Sequence, residues 1–224
     1  MRDDVTIDDT TIRVGDVELT YGMRPPSGAG DPRLWVFKPR TLIEEYLDLA
    51  ERIRPQRLFE LGIHSGGSTA LLALLTEPER LSAIELDGPV EKLDRFIADR
   101  GLSDRICAHY GVDQADRSAM QRVLDDDFGD ALLDLVVDDA SHRYPETVAS
   151  FEVLFPRVRP GGSYVIEDWS SPDQLAAALT ASIDDPSADG WRERVDRLAR
   201  QLHDAIAEAG DPEGAASARD AFVA

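Results

Sequence analysis

Apolar and polar positions alternate first in three short runs, Val5-Thr6-Ile7, Thr11-Ile12-Arg13-Val14 and Val17-Glu18-Leu19-Thr20-Tyr21, separated by Asp8-Asp9 and Gly15-Asp16. A two-residue period broken by turn residues predicts a small β-hairpin or meander. Arg24 to Asp31 carries Pro25, Pro26, Gly28 and Gly30 and reads as a loop. From Thr41 to Arg54 the period lengthens: Leu42, Ile43, Tyr46, Leu47, Leu49, Ala50 and Ile53 fit one face of a helix, which Pro55 stops.

Strand-like and helix-like stretches then take turns. The strand-like runs are Arg57–Leu61, Leu81–Leu86, Arg105–Tyr110, Leu132–Asp138 and Ser163–Glu167. Between them lie helical patterns at Ser68–Leu75, Pro89–Arg100, Ala115–Leu124 and Pro145–Phe155. Parallel strands need long crossovers, usually helices, so this alternation predicts an α/β fold with a doubly wound, mainly parallel sheet. Ligands of such sheets bind at the carboxyl ends of the strands. After Trp169 the strand pattern stops. Asp173–Ile183, Trp191–Ala209 and Ala215–Ala224 read as helical. The expected division is an N-terminal hairpin and loop at 1–38, a core at 39–170 and a helical C-terminal tail at 171–224.

Composition narrows the partners. The chain has 224 residues and a formal charge of −20, which disfavours phosphate-rich nucleic acid and anionic membrane surfaces. No apolar run approaches the roughly 20 residues that span a bilayer, and Met1-Arg2-Asp3-Asp4 is unlike a secretory signal. The single cysteine, Cys107, forms no internal disulfide, so a cytoplasmic setting is the expectation.

Five strand ends carry the candidate chemistry. The first is Phe59-Glu60-Leu61-Gly62-Ile63-His64-Ser65-Gly66-Gly67-Ser68. Here a glycine-rich turn leads into a helix whose N–H groups can meet a ligand. The chain lacks the Gly-Lys-Ser/Thr of NTPases, and Glu60 is placed to meet an ammonium group, which favours S-adenosylmethionine (SAM) over a nucleotide. Gly62, Ser65, Gly66 and Ser68 belong to this cofactor site. At the second strand end Glu85 is expected to take the ribose hydroxyls, with Asp87 as the alternative. At the third, Asp113 or Gln114 is the candidate for the adenine amino group, although Asp113 and Asp116 also suit helix caps. Asp138, ending the fourth strand, completes the cofactor set.

The fourth and fifth strand ends are Asp138-Asp139-Ala140-Ser141-His142 and Ile166-Glu167-Asp168-Trp169. Asp139, Glu167 and Asp168 would repel one another unless a cation or proton lay between them. A hard divalent ion such as Mg²⁺ meets that need with oxygen ligands. His142, three residues after Asp139, is the candidate base. His64 reads as a solvated loop residue, His109 as structural and Cys107 as a small core residue. Trp35 and Phe37 read mainly as anchors of the preceding loop, with a carbohydrate-lining role as the alternative.

Residues from about Arg57 to Trp169 resemble class I SAM methyltransferases, with a Rossmann-like sheet. Within them, Asp-Asp-Ala-Ser-His at 138–142 with Ile-Glu-Asp-Trp at 166–169 resembles the macrocin/mycinamicin sugar O-methyltransferase and cephalosporin hydroxylase group. That resemblance implies Mg²⁺ at Asp139, Glu167 and Asp168, with His142 as base. It also implies a small-molecule or oligosaccharide acceptor whose hydroxyl is methylated. The spacing from Asp139 to Glu167 is similar to that in catechol O-methyltransferase, so a catechol-like acceptor is the alternative. The compact acidic chain also resembles the methyltransferases of mycobacterial methylmannose polysaccharide synthesis. Two rival classes are a cephalosporin-hydroxylase-like oxygenase and a non-catalytic interaction module. An iron oxygenase would want two histidines beside the acids. The fold usually closes with two further strands. Their absence from this pattern predicts a homodimer covering the sheet edge.

Overall fold

The computed structural model describes residues 4–24 and 33–167. The first runs form an antiparallel meander, β1 (Val5–Ile7), β2 (Thr11–Val14) and β3 (Val17–Tyr21), as their period predicts. A two-residue strand, β4 (Trp35–Val36), pairs parallel to β3 and completes a small sheet. Two residues are too few to show a period, so β4 had no sequence signal. Its place comes from tertiary pairing: the Thr20 amide donates to the Leu34 carbonyl, and the Trp35 indole donates to the Gly22 carbonyl.

The alternating region forms α1 (Arg40–Ile53), β5 (Arg57–Leu61), α2 (Gly67–Thr76), β6 (Arg80–Glu85), α3 (Glu91–Asp99) and β7 (Ile106–Tyr110). It continues through α4 (Arg117–Phe128), β8 (Leu133–Asp138), α5 (Tyr144–Leu154), a short 3₁₀ turn and β9 (Val158–Ile166). The five strands are all parallel in the order β7-β6-β5-β8-β9. The order reverses between β5 and β8, which opens a crevice at their carboxyl ends.

Side chains alternate along each strand, so successive residues enter two cores. Leu58, Leu81, Leu135 and Val137 pack with Ile43, Tyr46, Leu71 and Leu75 of α1 and α2, and with Ile12, Leu19 and Val36 of the small sheet. Phe59, Leu61, Ile84 and Val136 pack on the other face against Met120, Val123 and Leu124 of α4 and Leu154 of α5. Helix α2 is apolar on nearly every side because it lies between the two sheets (Ala70, Leu71, Leu72 and Leu75 are all buried).

β9 is longer than expected. The turn-like Arg159-Pro160-Gly161-Gly162 does not precede the strand but interrupts it: Leu133 pairs with Val158 and Leu135 with Ser163, and the residues between bulge out. A bulge accommodates Pro160, which has no N–H to give the ladder. The C-terminal helical stretches expected over 171–224 lie outside the described residues, as does most of the loop at 24–31.

Candidate active site

The carboxyl ends of the parallel strands border a cleft of about 620 Å³. Gly62, Ser65 and Ser68 line it from the first turn, Glu85 and Asp87 from the end of β6, and Asp113 and Gln114 from beyond β7. Asp139 and His142 enter from β8, Glu167 from β9, and Phe37 and Lys38 from the segment after β4. Most of the sequence-derived residues therefore meet in one cavity.

Two glycines make the first turn possible. A Cβ on Gly67 would fall 2.0 Å from the Trp35 carbonyl oxygen, so the start of α2 can approach β4 only without a side chain. Gly62 has φ +94° and lies against the Asp139 backbone. Gly66 caps α2 in a left-handed conformation. The Ser65 hydroxyl donates to the Trp35 carbonyl at 2.6 Å, tying the turn to the small sheet.

Glu85 holds the same turn from below: its carboxylate accepts from the His64 amide at 2.6 Å and the Asp87 amide at 3.1 Å. Gln114 is buried. Its amide nitrogen donates to Asp138 and Ser150, while its oxygen accepts from the Ser141 amide at 2.8 Å. Asp113 is exposed and accepts from the Ala115 amide, whereas Asp116 caps α4 through the Ser118 and Ala119 amides.

Three of the expected cofactor residues do not border the cleft: Gly66, which caps α2, and the acids Asp138 and Glu60. Asp138 lies under its floor, accepting from Ser150 Oγ at 2.9 Å and from Gln114, and burial pushes its carboxyl up to about 6. Glu60 points into the core shared with α2 and is 1% exposed. Neither of its oxygens, nor Thr69 Oγ1, meets hydrogen-bond geometry with a partner. Burial pushes the Glu60 carboxyl up to about 7, although the Thr69 and Ser68 hydroxyls lie near enough to oppose the effect.

This sets a measurable pH dependence. With the folded carboxyl near 7 and its ordinary value at 4.5, protonated Glu60 favours the folded state below 4.5. That stability is lost as pH rises through 7. Glu60→Gln is therefore expected to gain on the wild type between pH 4.5 and 7. Above that range the advantage should level at roughly 3 kcal/mol. Urea denaturation of the ligand-free protein at several pH values checks this; a difference independent of pH would contradict it.

The fourth and fifth strand ends hold an unforeseen residue. Lys38 Nζ donates to Asp139 Oδ2 at 2.6 Å and to Glu167 Oε1 and Oε2 at 2.7 and 2.6 Å. The Lys38 and Glu167 side chains are each 4% exposed. Burial alone would lower the Lys38 pKa, but the charges of Glu167 and Asp139 outweigh it and keep the ammonium protonated. Burial pushes the Glu167 carboxyl up against the opposing pull of Lys38. The Tyr46 hydroxyl donates to Glu167 Oε1, and Lys38 Nζ stands 5.4 Å from the centre of the Tyr46 ring. Tyr46 read only as a core position of α1. A faint signal for Lys38 existed: it is one of two lysines in a chain that otherwise uses arginine. Asp168 lies outside the described residues.

His142 sits at φ +54° in the turn after β8. Its Nε2 is 3.8 Å from Asp139 Oδ1, and its Nδ1 is 3.4 Å from the Glu167 carbonyl oxygen. Phe37 is 44% exposed and lines the cleft, so it is not a core anchor. It packs with Trp35 at 5.0 Å and stacks on His64 at 5.6 Å. His64 is exposed in the turn, as expected of a loop residue, and its ring also packs against Trp35 and Phe37. His109 pairs with Asp127 at 2.7 Å, away from the cleft. Cys107 is only partly buried and accepts from Arg80.

Residues 59–169 match the methyltransferase domain family. The chain is 34% identical over 119 residues to an L-olivosyl-oleandolide 3-O-methyltransferase of Streptomyces antibioticus, covering 53% of this chain and 29% of that one. It is 40% identical over 78 residues to a mycinamicin VI 2''-O-methyltransferase of Micromonospora griseorubida, covering 28% and 20%. The matched segments thus span less than a third of these relatives' own length. Among solved structures, a methyltransferase of the mycinamycin biosynthetic pathway, in complex with Mg, SAH and mycinamycin VI, shares the fold. The TM-score is 0.51 at 21% identity, over 75% of this chain and 43% of that one.

Proposed function

We propose that this chain, residues 59–169 of which belong to the methyltransferase domain family, is a SAM-dependent O-methyltransferase acting on a sugar hydroxyl. The acceptor would be an oligosaccharide or a glycosylated natural product. The observation that carries the reading is the meeting of His142, Asp139 and Glu167 with the Gly62 turn and Glu85 in one cleft. The two curated relatives described above methylate sugar-bearing natural products by name, and their matched segments support the acceptor class.

SAM would lie across the ends of β5, β6 and β7. Glu85 would accept the two ribose hydroxyls, and buried Gln114, already held by Asp138 and Ser150, would present a fixed amide beside the adenine. Glu85→Ala is expected to weaken SAM binding about 10–100-fold, the size of one or two lost charge-assisted hydrogen bonds. Calorimetry beside a thermal melt tests this; equal affinity would remove Glu85 from the site.

The residues at β8 and β9 fit a divalent cation. Asp139 and Glu167 are hard oxygen donors, and the Lys38 ammonium between them shows that the position holds positive charge. Asp139, Glu167 and Asp168 would hold Mg²⁺, which, when bound, would make an acceptor hydroxyl more acidic. His142 would take the hydroxyl proton at Nε2. The exposed face of Phe37 would pack on the apolar side of a sugar ring. Alignment of hydroxyl and methyl donor in the cleft supplies much of the rate.

Transfer of labelled methyl from SAM, with and without EDTA, to simple sugars, partly methylated mannosides, macrolide glycosides and catechols tests the whole reading. Glycosides should be methylated and EDTA should stop the reaction. Full activity in excess EDTA would remove the metal, and turnover of catechols alone would overturn the sugar assignment.

A further inference from the structure

We infer that Lys38 and the divalent cation compete for a single place between Asp139 and Glu167, so that Lys38 sets how tightly the metal is held. The inference rests on the metal-assisted reading above and adds a residue to it.

Three geometric facts carry it. First, all three N–H bonds of the Lys38 ammonium are spent on the proposed ligand oxygens, Asp139 Oδ2 and both oxygens of Glu167, at 2.6–2.7 Å. A Mg²⁺ ion on those oxygens would stand about 2.0–2.1 Å from each. The ammonium and the ion would then occupy the same space. Second, the Glu167 side chain is only 4% exposed, so solvent screens it little, while Asp139 beside it is 23% exposed. Leaving a buried carboxylate without a cation costs several kcal/mol. Lys38 supplies one positive charge against two negative ones, which keeps the metal-free site folded without neutralising it. Third, the backbone at Lys38 is pinned. Its amide donates to the Val36 carbonyl at 2.9 Å, and Pro39 follows it as the cap of α1. The flexible four-carbon stem is free to turn where the backbone is not, and the cleft that Lys38 borders gives the ammonium somewhere to go.

Loading the site therefore means exchanging an internal monovalent cation for an external divalent one. The exchange subtracts the Lys38 ion pairs from the metal's binding energy. It also protects the acids when metal is scarce.

The test compares Mn²⁺ binding by electron paramagnetic resonance in the wild type, Lys38→Gln, Lys38→Met and Lys38→Arg, with thermal melts of each. The two neutral variants should bind Mn²⁺ at least about tenfold more tightly than the wild type. A tenfold change is the least expected from removing a unit charge at contact distance. Lys38→Arg keeps the charge and should stay near the wild type. Without metal the neutral variants should melt below the wild type, and Mn²⁺ should close the gap. A neutral variant that folds only with Mn²⁺ supports the inference in the same way. Equal Mn²⁺ affinity in the wild type and the neutral variants would overturn the competition and leave the metal reading standing. No Mn²⁺ binding by any of the four would overturn both.

Discussion

Replacing His142 with alanine is expected to slow methyl transfer about 10²–10⁴-fold, the usual loss when a general base is removed. SAM affinity should hardly change, because the polar contacts of His142 are with Asp139 and Glu167, at the proposed metal end of the cleft. The geometry favours this role. Nδ1 lies 3.4 Å from the Glu167 carbonyl oxygen, which can only accept; in the tautomer that carries its proton on Nδ1, Nε2 is the nitrogen that accepts another. Nε2 is 3.8 Å from Asp139 Oδ1, close to where the acceptor hydroxyl would sit. Single-turnover kinetics with SAM binding measured in parallel checks the expectation. Normal turnover in His142→Ala would move the base to another group.

Gly62→Ala should severely damage both stability and methyl transfer. The new Cβ would lie 2.2 Å from the Asp139 carbonyl oxygen, at a φ of +94° that side chains rarely adopt. Overpacking and backbone strain together cost roughly 2–6 kcal/mol. The exit of β5 and the exit of β8 would have to part, although the Asp139 amide is bonded to the Leu61 carbonyl at 3.0 Å. A shift of about 1 Å in Asp139 and His142 is enough to lose roughly 10²-fold in rate. Gly101→Ala is the matched control: its φ is +64°, but a Cβ there meets nothing within 4 Å. It should cost only about 1–2 kcal/mol and leave transfer intact. Equal losses in the two variants, by urea denaturation and activity, would show that strain and not the approach to Asp139 matters.

The parts of this protein that the sequence determines by itself are those written in short range. A strand–helix alternation has a period within each element, and a parallel sheet with helices on both faces follows from it. A glycine turn after β5 needs only its own residues to be recognised, and so do acids at the ends of β8 and β9. Asp116 as a cap of α4 was within reach for the same reason. What the tertiary structure decided are contacts between residues far apart. β4 exists only because Leu34 and Val36 meet β3. The turn-like Arg159–Gly162 became a bulge because β8 continues past it. Glu60 sits at a strand end like a ligand residue, yet the face of β5 on which it falls is closed by α2 and Thr69, which no local pattern records. Lys38 reaches acids at positions 139 and 167, and Tyr46 reaches Glu167 from α1. Such pairings are set by how layers stack and not by hydrophobic period, so the charge that occupies the centre of the site became visible only once the chain was folded.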